Sequence, residues 1–171
     1  MKRLYLLRHA KSDWADPDKL DADRPLSPRG RRAAPAMGRF MRKEQLVPAL
    51  ALCSTARRTE ETWDLLAETL KAEVPVEASD KLYLASPSRL LKAVRAVDDK
   101  IPSVVVIGHN PGLQALALEL TGGGDAAARA RIMTKYPTGA LAVFDFAIDR
   151  WGDVAAGGGR LERFVVPRDL D

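Results

Sequence analysis

The chain has 171 residues, 46% hydrophobic and 29% charged, which suits one domain with a sizeable core, spanning 1–171, and leaves too little length for a second catalytic domain. Its formal net charge is +4, yet Lys and Arg alternate with acids from end to end, so the charge fits anionic small substrates or acidic protein partners better than nucleic acid. A single cysteine, Cys53, excludes an intramolecular disulfide and a cysteine-based zinc cage.

Met1-Lys2-Arg3 opens like a signal peptide, but the apolar stretch Leu4 to Leu7 ends at once in Arg8, His9 and Lys11. That is too short for a secretory h-region or a membrane span, so the expected compartment is the cytoplasm, with no membrane partner. Leu4 to Leu7 reads instead as a short buried strand. Lys11 to Pro25 is rich in Asp, Pro and Lys and has no apolar period; it reads as a loop long enough to suggest function.

Ser27-Pro28 places a cap and then proline at the start of a helix running to about Glu44. The basic residues Arg29, Arg31 and Arg32 form its solvated face, because Ala33, Ala34, Met37 and Phe40 recur at helical spacing. Ala49 to Cys53 reads as a second strand, with Cys53 as a small buried hydrophobe. Ser54 is the expected cap of the next helix, which carries Arg58, Glu61, Trp63, Leu65, Leu66 and Leu70.

Val74 to Glu77 reads as a short strand, and Ser86-Pro87 repeats the cap-then-proline signal before a helix with Leu90, Leu91, Val94 and Val97 inward. Ser103 to Ile107 is the clearest buried strand, broken by Gly108-His109-Asn110-Pro111-Gly112 before a helix from Leu113 to Leu120. Ala140 to Ile148 and Leu161 to Val166 read as strands joined across Gly157-Gly158-Gly159, paired antiparallel at one edge. The glycine triplets at 122–124 and 157–159 read as turns and lack the spacing of a phosphate-cradling loop. Alternating strands and helices predict an α/β fold, a three-layer α/β/α sandwich with a mostly parallel central sheet and an antiparallel edge.

The chain holds two histidines, and each directly follows a predicted buried strand. Ligands of open α/β sheets bind at the carboxyl ends of the strands, so His9 and His109 are expected to open into one crevice. Arg8 accompanies the first, while Arg57 and Arg58 start the helix after Cys53, where helix N–H groups also point. Imidazoles, guanidiniums and a helix N-terminus together make an anion site, and phosphoryl is the anion that fits. Arginine forks neutralise phosphoryl oxygens; a neutral histidine nitrogen attacks phosphorus and forms a phosphoramidate that water can cleave. The second histidine could be protonated and hold an oxygen. Neither histidine has an acidic or cysteine partner at ligand spacing, so neither metal nor other cofactor is expected.

Leu7-Arg8-His9-Ala10-Lys11-Ser12, Ser54-Thr55-Ala56-Arg57-Arg58-Thr59-Glu60-Glu61-Thr62 and Gly108-His109-Asn110-Pro111-Gly112 together resemble the histidine phosphatase superfamily, the branch that includes phosphoglycerate mutases and acid phosphatases. Arg-His-Ala in place of Arg-His-Gly, the stretch Asp23 to Gly30 and the small size look most like bacterial phosphohistidine phosphatases of the SixA type. The resemblance implies a phosphoglycerate mutase-like fold, His9 as nucleophile, and Arg8, Arg58 and His109 as phosphoryl ligands, with Arg57 facing solvent. Ser12 stands where the family often has a hydroxyl near the phosphate, with a simple loop hydrogen bond as the equal alternative. Arg24 reaches the site from its loop or forms a surface salt bridge.

Larger relatives place a glutamate general acid after the second motif; its nearest counterpart is Asp80, for which a turn role is the more ordinary reading. A phosphohistidine substrate tolerates that absence, since imidazole leaves phosphorus more readily than an alkoxide. The expected activity is therefore hydrolysis of phosphohistidine in a phosphorylated protein of the histidine phosphotransfer type, admitted by an open crevice. A small phosphorylated metabolite handled by a phosphomonoesterase is the alternative, and a non-catalytic phosphate-binding protein is the alternative of another class.

Overall fold

The computed structural model describes residues 1–171. Each apolar run becomes a strand, usually with bounds moved by a residue or two. β1 (Lys2–Arg8), β2 (Leu50–Ser54), β3 (Val76–Ser79), β4 (Ser103–Gly108), β5 (Thr121–Gly124), β6 (Leu141–Phe146) and β7 (Gly159–Val165) form one sheet in the order β3-β2-β4-β1-β6-β7-β5. β1, β2, β3 and β4 run parallel; β6 is antiparallel to both β1 and β7, and β5 is parallel to β7. The helices are α1 (Pro28–Lys43), α2 (Arg57–Leu70), α3 (Pro87–Arg95), α4 (Gly112–Leu120) and α5 (Ala126–Thr134).

The centres of β1 and β4, Leu4–Leu7 and Val104–Ile107, are apolar because helices cover both faces of the sheet. Side chains alternate across a strand, so Leu4, Leu6, Val104 and Val106 join one core with Leu90, Leu113 and Leu116, while Tyr5, Leu7, Val105 and Ile107 join another with Met37, Trp63 and Leu66. The three-layer α/β sandwich expected from the sequence is thus the observed fold. α1 and α2 approach closely at Gly38, where a Cβ would stand 2.0 Å from Thr69 Oγ1.

Helix starts follow the sequence signals at Ser27 and Ser86, whose side chains accept from Gly30 and Arg89. Three segments differ from expectation. Ser54 does not cap α2: it closes β2, and Ala56 takes the cap position without a side-chain hydrogen bond. β3 begins at Val76 rather than Val74, since it is Val76 that pairs with Ala51. Gly122-Gly123-Gly124 is not a turn but most of β5, the outermost strand, in register with Arg160 and Leu161 of β7. The Ala-rich segment after it, left unassigned from the sequence, forms α5, capped by Asp125. The antiparallel pairing expected toward one side of the sheet is present, with β6 as its reversed strand and β5 beyond it as the rim. No helix is long and apolar enough to cross a membrane.

Candidate active site

β1, β4 and β2 end side by side on one edge of the sheet and deliver His9, His109 and Ser54 there. The His9 backbone is pinned on both sides, its N–H donating to Gly108 and its carbonyl accepting from Gly139 at 2.8 Å. The two imidazoles lie 5.4 Å apart between centroids, tilted by 53°. Both are nearly sealed from solvent, His9 at 7% exposure and His109 at 3%.

Hydrogen bonds assign the ring protons. His9 Nδ1 lies 2.7 Å from the Ala10 carbonyl, which can only accept, so Nδ1 carries the hydrogen and Nε2 keeps its lone pair. His109 Nδ1 receives an N–H from Arg58 at 3.3 Å, and its Nε2 donates to Ser54 Oγ at 2.7 Å. The Ser54 oxygen also accepts the Ala56 N–H, so it holds the His109 tautomer in place. Burial, reinforced by the Arg58 and Arg8 charges, pushes His9 down to about 4; burial with Arg58 pushes His109 down to about 3. Both shifts favour the neutral ring at pH 7 in the free protein, so a protonated His109 holding an oxygen would need the charge of a bound anion to offset them.

The guanidiniums surround these rings. Arg58 sits in the first turn of α2, fully buried, and donates to the carbonyl and the carboxylate of Asp21 at 2.8 and 3.0 Å. Arg57, by contrast, is half exposed and reaches only Glu61, at 3.5 Å. Arg8 donates to the Tyr136 carbonyl at 2.8 Å. The Nε–H groups of Arg8 and Arg58 are buried without a partner. Two such orphan donors cost about 1–3 kcal/mol each, a penalty that an oxyanion between them would remove.

Arg24 and Ser12 enter from the loop: Arg24 donates to Ser12 Oγ at 2.9 Å and to Asp21 at 2.9 Å, and its guanidinium carbon lies 3.2 Å from the centroid of the Trp14 ring. Arg24 is thus buried in a salt bridge to Asp21, which in turn binds Arg58, and makes no direct hydrogen bond to either histidine. Ser12, only 6% exposed, meets Arg24 rather than a backbone group of its own loop. Asp80 hydrogen-bonds Thr55 Oγ1 at 2.5 Å and starts an exposed 3-10 turn, Asp80–Leu82. It touches neither histidine.

The acid inside the ring of cations is Asp21, which sequence reasoning missed. Burial would raise its pKa, but hydrogen bonds from Tyr83, Arg24 and Arg58 outweigh that and hold the carboxyl far below its ordinary range. Tyr83, also missed, donates to Asp21 and faces the edge of the His109 ring at 5.4 Å. Thr62 latches α2 to the loop after His9, accepting the Ala10 N–H at 2.9 Å and donating to the Arg58 carbonyl at 2.6 Å.

Residues 4–83 match the sequence model of the histidine phosphatase superfamily, branch 1. A candidate phosphohistidine phosphatase SixA from Nakamurella multipartitia is 31% identical, with 97% of this chain and 96% of that one aligned at a TM-score of 0.83. The chain belongs to the histidine phosphatase superfamily. Another superfamily structure, the candidate phosphohistidine phosphatase SixA of Agrobacterium tumefaciens, is 30% identical over 97% of this chain and 98% of that one, with a TM-score of 0.82. An uncharacterised protein of Mycobacterium tuberculosis is 40% identical over 95% of this chain and its own entire length.

Proposed function

We propose that this chain is a phosphatase that hydrolyses phosphohistidine through a phosphorylated His9. The observation that carries this reading is the His9 tautomer: with Nδ1–H committed to Ala10, Nε2 is an unprotonated nitrogen among buried guanidiniums. Nε2 attacks phosphorus, the bond between phosphorus and the substrate's imidazole nitrogen breaks, and a new N–P bond forms on His9. Arg8 and Arg58 bind the equatorial oxygens with their outer nitrogens and orphan Nε–H groups, and His109 closes the pocket from the end of the neighbouring strand β4. Water then attacks the His9 phosphoramidate: its oxygen joins phosphorus, the P–Nε2 bond breaks, the ring departs neutral with Nδ1–H in place, and the water's protons leave with orthophosphate, so that His9 is restored.

Asp21 supports the choice of substrate. As the carboxyl bound to Arg58, the arginine partner of His109, it would be the natural proton donor, yet it is held ionised at neutral pH. An alkoxide leaving group would depart without a carboxylic acid to protonate it. An imidazole protonated on its far nitrogen departs as a neutral ring, and transfer between two imidazoles exchanges one N–P bond for an equivalent one. The SixA relatives, described as candidate phosphohistidine phosphatases, favour the same class. Because guanidinium and imidazole groups supply the charge stabilisation, we assign the reaction no metal ion, and turnover should survive chelator treatment.

The competing reading is a small-molecule phosphomonoesterase, favoured by the Tyr83 hydroxyl at the His109 edge, which could supply a proton. Comparing kcat/KM for a histidine-phosphorylated phosphotransfer domain with that for phosphate monoesters decides between them. A preference of tenfold or more for the phosphohistidine is expected, and an equal preference for monoesters would reject the assignment.

A further inference from the structure

Beside the phosphoryl pocket, at the same edge of the sheet, lies a groove of about 590 Å³ between the start of α1, the end of α5 and the segment that follows β7. Lys11, Arg29, Arg131, Lys135 and Arg168 line it, with Asp169 as its acid. The groove alone therefore carries as large a net positive charge as the whole chain. Asp169 is taken by Arg131 at 2.8 Å, whereas Lys11, Arg29, Lys135 and Arg168 are exposed and form no ion pair. Four unpaired cations in one concavity repel one another, and an anionic occupant removes that repulsion. The even spread of charge along the sequence hid this, because the residues come from four separate segments.

The groove and the site share a wall. Lys11 lies two residues beyond His9. Thr138 lines the groove, and the next residue, Gly139, donates to the His9 and Arg8 carbonyls at 2.8 and 3.1 Å. Gly139 has φ +77°, and a Cβ there would stand 2.8 Å from Pro167 Cγ, so the chain after β7 packs directly on this turn. The groove thus lies within a few residues of the turn that holds His9.

We propose that this groove docks an acidic segment of the phosphorylated protein, adjacent to its phosphohistidine. The inference rests on the phosphohistidine reading above and specifies the partner's charge. A nucleic acid fits less well: its binding needs an extended basic track with exposed stacking rings, whereas these cations are gathered in a pocket whose aromatic residue, Phe164, is 5% exposed.

The test uses two synthetic phosphohistidine peptides of equal length, one flanked by Asp and Glu and one by Lys and Gly, with phosphoramidate as a small substrate and the full-length Lys135→Glu/Arg168→Glu protein as the variant. At low salt the acidic peptide should show at least fivefold higher kcat/KM than the basic one. The variant should abolish that advantage through KM while leaving phosphoramidate turnover within twofold. A labelled, unphosphorylated acidic peptide should bind the wild-type protein and lose at least fivefold in affinity in the variant, a readout independent of catalysis. Equal turnover of both peptides, or peptide binding unaffected by the variant, would overturn the docking surface. Binding of a duplex oligonucleotide that the variant abolishes, with peptide turnover unchanged, would likewise overturn it in favour of nucleic acid. Failure of every phosphohistidine substrate while monoesters turn over would instead reject the functional reading itself.

Discussion

Asp21 engages Arg58 twice, accepting from one nitrogen of the guanidinium at its backbone carbonyl and from the other at its carboxylate. This clasp orients the fork beside His109 and also sets an anion next to the place where the phosphoryl group would bind. The two effects separate by mutation. Asp21→Asn keeps an oxygen acceptor for Arg58 but removes the negative charge, so orthophosphate should inhibit competitively with a Ki about tenfold lower, equivalent to ~1.4 kcal/mol. Inhibition by phosphate in a steady-state assay measures it, and a weakened affinity would show that orientation outweighs repulsion.

Acid should destabilise the fold through the histidines. His9 and His109 are neutral in the native state down to about 4 and about 3, whereas both bind a proton below their ordinary value of 6.5 when unfolded. The unfolded state thus takes up more protons as pH falls, and stability declines between pH 6.5 and pH 4; above 6.5 these groups contribute no slope. From pH 7 to pH 5 the loss should be about 4 kcal/mol for the pair. Urea denaturation at both pH values checks the slope, and His109→Asn should halve it.

Ser54 holds the His109 tautomer without being placed to meet the substrate's phosphoryl group in the proposed role of the arginines. Ser54→Ala removes the acceptor for Nε2–H, and kcat should fall about tenfold as a net hydrogen bond of ~1 kcal/mol and its orientation are lost. The Nε2 proton resonance of His109 should disappear into exchange with solvent in the same variant.

Arg58→Lys keeps the charge but loses the fork that reaches Asp21, His109 and the unpartnered Nε–H direction together. A loss of about 100-fold in kcat/KM is expected, close to that of Arg58→Ala, because geometry rather than charge alone is at stake. Arg57→Ala, at an exposed position paired with Glu61, should change kcat/KM less than twofold.

How far the sequence could be read follows from the range over which each signal acts. Strands such as Leu4 to Leu7 and Ser103 to Ile107 announce themselves because burial on both faces demands unbroken apolar runs. The positions of His9, His109 and the Arg57-Arg58 pair were legible because strand ends and a helix start fix where they emerge, whereas the choice of Arg58 over Arg57 rested on the resemblance. Asp21 was not, since the loop from Lys11 to Pro25 holds five aspartates, Asp13, Asp16, Asp18, Asp21 and Asp23, with no period to single one out. Only the 3-10 turn Asp21–Asp23 brings its carboxylate onto both Arg24 and the Arg58 of α2. Ser54 looked like a helix cap because serine before a helix usually is one; β2 runs one residue further and turns its hydroxyl to His109. β5 escaped notice because a strand made of Thr-Gly-Gly-Gly has no side-chain pattern to read.

The central claim is that His9 Nε2 carries the phosphoryl group. Rapid mixing with excess phosphoramidate, quenching into alkaline detergent to preserve the acid-labile N–P bond, and mass spectrometry of the digested protein locate the phosphate. The account predicts a phosphorylated peptide containing His9, formed at least as fast as turnover and absent in His9→Ala, which should also lose all turnover. Phosphate found on another residue, or turnover retained by His9→Ala, would contradict it.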